Sequence, residues 1–216
     1  MRTHPRVPLL SIRSAPLSRS FQMTPEQRLD LWLAEEREVV ELLNSGPGVG
    51  VARPAQLVGK SGLEVMHAMM NGQLPYAEFA KHLSFYAIAA RPGSAVFQGT
   101  PQREYLNPMG TIHGGWMTSI LDSALGCAVL ASLPPGQVYT TASLETRYVK
   151  GLTLDVRRVR AEATVTRIEG RMALAEASLM GPDGTLYAKA TTECRLFDMR
   201  APAPAAVSRP STSATS

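Results

Sequence analysis

One apolar stretch, residues 116 to 133, sets the architecture that this chain can adopt. The stretch is rich in Ala and Leu, is apolar on nearly every side and is too long for a buried strand. Asp122 and several small polar residues interrupt it, so it does not fit the span of about 20 apolar residues that crosses a bilayer. We predict one central buried helix in a soluble protein.

The sequence after this helix has the two-residue period of half-buried strands. Val159, Ala161 and Ala163 alternate with polar residues, and residues 186 to 196 repeat the pattern. Turn sequences at 169–171 and 181–184 separate these runs, so we predict a meander of long antiparallel strands over residues 138 to 197. Residues 82 to 90 and 95 to 99 form a further hairpin around the turn at 91–94. The pattern is that of an α+β fold in which an antiparallel sheet wraps a long helix.

The residues before this domain predict an appended helix. Thr24-Pro25-Glu26-Gln27 combines an N-cap, a proline at the first helical position and a capping box, and Gly46-Pro47-Gly48 ends the helix that reaches about Leu43. A short helix is predicted over residues 63 to 70. We divide the chain into a disordered leader (1–23), an N-terminal helix and linker (24–59), the main domain (60–198) and a disordered tail (199–216).

The net charge of +4 is confined to the leader, where four arginines precede the first acidic residue. The remainder has no net charge, which argues against a nucleic-acid surface. The leader has the composition of an organelle transit peptide. The same composition would arise if the true start codon encodes Met23 and the assigned start codon lies upstream of it. We therefore expect a cytoplasmic protein, or a mitochondrial or other organellar one if residues 1–22 are a transit peptide. Cys127 and Cys194 lack metal-ligand spacing, so we predict reduced thiols, no metal and no cofactor.

The segment Asn107-Pro-Met-Gly-Thr-Ile-His113-Gly114-Gly115 leads directly into the central helix. The first N–H groups of a helix have no partner within it and carry partial positive charge. The amides of Gly114 and Gly115 are thus suited to a developing oxyanion, such as that of a thioester carbonyl. A plain helix-entry turn is the alternative reading of these glycines.

Asp122 lies about two turns into the same helix, among mostly apolar residues. Burying an unpaired carboxylate is costly, so such a residue has either a structural partner or a catalytic role. A bond to a neighbouring strand, or exposure at the helix face, would explain it structurally. Its combination with the two glycines favours catalysis.

Residues 107–115, followed by Asp122 eight positions after Gly114, resemble the motif of the PaaI-type hotdog thioesterases. The resemblance covers residues 60 to 197. It implies a hotdog fold in which two subunits join their sheets and build each site across the interface, as a homodimer or a dimer of dimers. It also implies an acyl-CoA substrate. The charge distribution and the interrupted apolar stretch lead us to expect neither nucleic acid nor membrane as a partner.

The resemblance further implies a division of labour within the site. The Gly114 amide would polarise the thioester carbonyl, Asn107 would hold substrate or water, and Asp122 from the partner subunit would act as base or nucleophile. Thr141 occupies the strand position of a Ser or Thr near the acid, although a β-branched residue is also ordinary in a strand. The predicted substrate-binding residues are His113, Gly115, Arg147 and Lys150. His113 could instead simply hold the loop, and Arg157, Arg158 and Arg160 extend the basic set proposed for the coenzyme A phosphates.

Two other functions compete with this interpretation. A non-catalytic acyl-CoA-binding hotdog protein would keep the glycine turn without needing Asp122. A hotdog enoyl-CoA hydratase would need an Asp and His pair before the helix, but no Asp lies between Thr100 and Gly115. Motifs of serine hydrolases, P-loop proteins and zinc peptidases do not occur in the sequence.

Overall fold

The computed structural model describes residues 23–199 of the 216. Residues 1–22 of the predicted leader (1–23) and residues 200–216 of the predicted tail (199–216) lie outside the described residues. Within them the chain begins with helix α1 (Pro25–Ser45), whose capping box between Thr24 and Gln27 is formed as predicted. Helices α2 (Pro54–Leu57), α3 (Gly62–Met70) and α4 (Glu78–His82) follow. No helix between residues 23 and 199 is long and apolar enough to cross a membrane.

Six antiparallel strands form one sheet. They are β1 (Phe85–Arg91), β2 (Ser94–Gly99), β3 (Gln137–Tyr148), β4 (Val159–Glu169), β5 (Met172–Met180) and β6 (Leu186–Asp198), in the spatial order β1-β2-β4-β5-β6-β3. The hairpin predicted at residues 91–94 is confirmed, because Arg91 pairs with Ser94 across a two-residue turn. Gly93 has a φ of 72° in that turn, a value that glycine adopts without strain.

The predicted meander is correct for β4, β5 and β6 but wrong for β3. This strand does not lie beside β4; it pairs with β6 at the far edge of the sheet, while β4 pairs with β2. Alternating hydrophobicity specifies which face of a strand is buried, but it carries no information on the neighbouring strand. The connection over residues 149–158 is long enough to carry the chain across, and the N–H groups of Val149 and Lys150 bond to the Tyr187 carbonyl on the way.

The central helix is confirmed as α5 (Gly114–Leu130), and it packs across the inner face of the sheet. Ile120, Leu121 and Leu125 on this helix are fully buried. Gly126 is needed for close approach, because a Cβ there would lie 2.2 Å from Oη of Tyr139. The helix therefore sits at a fixed distance from β3, the strand that carries Thr141.

Helix α1 packs on the opposite, outer face of the sheet. Val159 and Ala161 of β4 point into the core, so Arg160 between them points outwards, where its guanidinium lies 4.5 Å from the centre of the Trp32 ring. The fully buried Gln98 accepts from Nε of Arg160 at 2.8 Å and donates to the Trp32 carbonyl at 3.0 Å. The appended helix is thus fastened to the sheet by a buried polar network.

Candidate active site

The loop before α5 is shaped by the side chain of Asn107. Its Oδ1 accepts from the N–H groups of Met109 at 2.9 Å and Thr111 at 3.3 Å, and its Nδ2 donates to Oγ1 of Thr111 at 2.8 Å. Gly110 closes the turn with a φ of 81°. Asn107 therefore holds the loop itself and keeps at most one amide hydrogen for a substrate or water.

The two glycines at the start of α5 differ in what their amides do. The N–H of Gly115 donates to Nδ1 of His113 at 2.9 Å, so His113 caps the helix. The N–H of Gly114 has no acceptor among residues 23–199. Only the Gly114 amide is thus available as a donor to an oxyanion. Because Nδ1 of His113 is an acceptor, a neutral ring carries its proton on Nε2.

Tyr148 at the end of β3 covers one side of Gly114. A Cβ at position 114 would lie 2.8 Å from Cζ of Tyr148, closer than side chains pack. The ring is anchored by a 2.7 Å hydrogen bond between its hydroxyl and Oγ1 of Thr118, and the side chain is 51% exposed. Sequence reasoning missed Tyr148, because nothing in the pattern of β3 marks which α5 residue it meets.

Asp122 and Thr141 are brought together as the sequence interpretation requires. Oγ1 of Thr141 donates to Oδ1 of Asp122 at 3.2 Å, and Asp122 is half-buried. The register of β3 against β6 shifts between Thr141 and Ser143, so a β-bulge lies next to the contact. Such bulges redirect side chains and occur often beside active sites.

Asp122 and Thr141 also line a cavity of about 240 Å³ whose other walls are largely apolar. Cys127, five residues further along α5, lines the same cavity. Burial, with a further contribution from Asp122, raises the pKa of the Cys127 thiol to about 12. The thiol is therefore protonated at neutral pH and is a poor nucleophile.

Gly114 and Asp122 of one chain are too far apart to act on one carbonyl group. Eight residues of α-helix rise by about 12 Å, whereas a reacting atom must lie about 3 Å from both the oxyanion donor and the carboxylate. The Gly114 amide and the Asp122 carboxylate of one chain therefore cannot flank the same carbonyl group.

The predicted basic residues separate into two groups. Arg147 and Lys150 are exposed at the end of β3 and just beyond it. Arg158 instead forms a two-point ion pair with Glu36 of α1, with N···O distances of 2.8 and 3.0 Å, and Arg160 pairs with Glu35. The interpretation of Arg158 and Arg160 as phosphate ligands is wrong, because the sequence does not reveal that α1 covers their face of the sheet. Arg157 is exposed.

No group of three or more His, Cys, Asp or Glu residues in the described part of the chain is arranged to hold a metal ion. Trp116, the bulky residue after the glycines, lies against Tyr105 with ring centres 5.7 Å apart and donates to the Leu83 carbonyl at 2.8 Å. It thus packs the start of α5 against the loop that precedes it.

Comparison with known proteins gives a family and a fold. Residues 109–188 match the model of the Thioesterase superfamily. A putative thioesterase from Ralstonia eutropha JMP134, described as a phenylacetic acid degradation-related protein, is 25% identical; the match covers 60% of this chain and 98% of that one, with a TM-score of 0.56.

Two further structures are similar at 18% identity and support the fold alone. For AziG from S. sahachiroi, the match covers 57% of this chain and 98% of that chain, with a TM-score of 0.55. For a thioesterase family protein from Silicibacter pomeroyi, the match covers 56% of this chain and 90% of that chain, with a TM-score of 0.52. The predicted hotdog architecture, a helix wrapped by a six-stranded antiparallel sheet, is confirmed.

Proposed function

We propose that this chain, which belongs to the thioesterase superfamily as a PaaI-type hotdog protein, hydrolyses acyl-CoA thioesters to a free acid and coenzyme A. One observation carries the proposal: the first amide of the buried helix, at Gly114, has no acceptor within the described residues, while the carboxylate of Asp122 borders an apolar cavity. The first group suits a developing oxyanion and the second suits the activation of water.

The reaction that fits these groups has two stages. The thioester carbonyl oxygen accepts the Gly114 N–H, and the carboxylate of Asp122 takes a proton from water as the water oxygen bonds to the carbonyl carbon. The tetrahedral adduct then collapses, the C–S bond breaks, and the proton passes to the departing thiolate of coenzyme A. Direct attack by Asp122 on the carbonyl, followed by hydrolysis of the anhydride, would use the same residues.

The site is proposed to form between two copies of the chain. The separation of about 12 Å along α5 supports this, because Asp122 of a second copy would remove the mismatch. β3 supports it too: within residues 23–199 only β6 pairs with this 12-residue strand, so its other edge offers unpaired backbone groups to a second sheet. A homodimer, alone or within a dimer of dimers, is the proposed assembly.

Coenzyme A carries phosphates, and exposed cations near the start of α5 are their proposed contacts. Arg147 directly precedes Tyr148, whose ring lies on Gly114, and Lys150 follows two residues later. Both side chains are exposed, so they can meet a phosphate at the rim without a desolvation cost for a buried charge. The cytoplasm remains the proposed compartment.

The decisive experiment measures release of coenzyme A thiol from a panel of aryl and aliphatic acyl-CoAs. We expect wild-type turnover and, in Asp122→Asn, a loss of about 10²- to 10⁴-fold in kcat, the usual contribution of a general base. Asp155→Asn is the matched control, because Asp155 is exposed and its described contact is the local one with Thr153. Light scattering should show the same oligomer for all three proteins.

Equal turnover by wild type and Asp122→Asn would remove Asp122 as the catalytic group. Wild-type protein that binds acyl-CoA tightly but releases no thiol from any member of the panel would instead favour a non-catalytic acyl-CoA-binding protein.

A further inference from the structure

The segments that precede β1 line one side of the cavity beside Asp122. Residues of α5 and β3 form its polar end, where Asp122 and Thr141 lie. Helix α3 contributes three methionines, α4 contributes aromatic and small residues, and the end of α1 contributes Leu43. The apolar side chains on this side of the cavity include Leu43, Met66, Met69, Met70 and Phe79.

We propose that this cavity holds the acyl group of the substrate, and that Leu43 together with the α3 methionines limits its length. The inference rests on the proposed function, because it takes the group next to Asp122 to be the acyl side of a thioester. The substrate class is then an acyl group of medium size, and α1 is a specificity-determining element.

The size of the acyl group follows from the cavity volume. An apolar cavity of roughly 150 Å³ holds benzene, so each carbon needs roughly 25 Å³. The cavity of about 240 Å³ then holds about nine non-hydrogen atoms, comparable with an octanoyl or a one-ring aryl acyl group. Acetyl would leave most of the cavity empty, and a palmitoyl chain would exceed it.

The two helices that form this side of the cavity, α1 and α3, are each anchored to other elements of the fold. Leu43 is 5% exposed, and its helix is fastened by Gln98 and by the ion pair between Arg158 and Glu36. α3 is equally fixed, because the N–H of Gly62 donates to the Leu133 carbonyl at 3.0 Å beyond the end of α5. The wall therefore has a defined position, while the methionine side chains allow aryl and aliphatic groups to be accommodated.

The test measures binding without hydrolysis. S-alkyl-coenzyme A thioethers with chains from ethyl to hexadecyl are titrated into the full-length protein by calorimetry. Each methylene that enters the cavity should lower Kd about fourfold, and the gain should stop near eight carbons for wild type. Leu43→Ala removes three carbon atoms from the wall and should move this break up to about three carbons longer, and Leu43→Phe should move it shorter.

Val39→Ala is the matched control. Val39 is buried on the same helix one turn before Leu43 but does not line the cavity, so its loss weakens α1 packing and leaves the break in place. A break that stays at the same length in both Leu43 variants, an affinity that rises steadily to hexadecyl, or no binding of any thioether overturns the inference. A clear break in a protein that hydrolyses no acyl-CoA refutes the proposed hydrolysis while the acyl pocket stands.

Discussion

Replacing Gly114 by proline tests the oxyanion donor directly, because it deletes one N–H group at a place where the fold tolerates proline. Gly114 is the first residue of α5, a position at which the fixed φ of proline suits a helix and its missing N–H breaks no helical bond. The preceding residue must be extended, and His113 already is, with φ −59° and ψ 133°. No hydrogen bond of the Gly114 N–H within the described residues is lost.

Gly114→Ala is the necessary comparison, since both substitutions add a Cβ that would lie 2.8 Å from Cζ of Tyr148. The half-exposed ring of Tyr148 has to move away from this Cβ in both variants, but only alanine keeps the N–H. The two variants therefore compare a helix start with the donor and one without it. Removal of one oxyanion donor costs about 2.7–4 kcal/mol of transition-state stabilisation, or about 10²- to 10³-fold in kcat.

We expect Gly114→Pro to have a kcat about 10²- to 10³-fold below that of Gly114→Ala, with a melting temperature at least as high. Proline restricts the unfolded chain, which supports the second expectation. Steady-state thiol release and thermal unfolding measure the two quantities. Kcat values within about twofold of each other, in two folded variants, would refute the role of the Gly114 amide.

Three further outcomes follow from the contacts around the site. Thr141→Val removes the hydroxyl that donates to Asp122 and should lower kcat about 3- to 10-fold, whereas Thr141→Ser should retain most activity. Equal kcat values for the two variants would contradict a role for this hydrogen bond. Arg158→Ala removes the only ion-pair partner described for Glu36 of α1 and leaves that carboxylate the hydrogen bond from Nε2 of Gln98. The loss should cost about 3 kcal/mol in urea unfolding, against less than about 0.5 kcal/mol for the exposed neighbour Arg157→Ala. Because burial raises the pKa of the Cys127 thiol, the folded chain keeps a proton that the unfolded chain releases above about pH 8.5. The free energy of unfolding therefore falls as pH rises, by up to about 1.4 kcal/mol per pH unit. Urea titrations at pH 8 and 10 should show a smaller drop for Cys127→Ala than for wild type; identical drops would contradict the assignment.

Local sequence determined the parts of this protein that depend on nearest neighbours along the chain. The capping box at Thr24 and the glycines after Leu43 specified α1, and the unbroken apolar pattern specified α5. The spacing of Gly114 and Asp122 placed a glycine amide at the start of a helix and a carboxylate two turns into the same helix. Each of these features is set within one or two turns of chain, where capping, propensity and periodicity act.

Tertiary structure decided how those parts combine. The period of β3 gave its buried face but not its partner β6, and the charges of Arg158 and Arg160 gave no indication that α1 would bind them. Within the site, only the folded chain distinguishes the Gly115 amide, bonded to His113, from the Gly114 amide, which has no acceptor between residues 23 and 199. Only the folded chain brings Leu43 to the cavity beside Asp122. These contacts join residues that are distant in the sequence. Which residues meet depends on which surfaces remain uncovered once the whole core has packed, and no local pattern of residues encodes that.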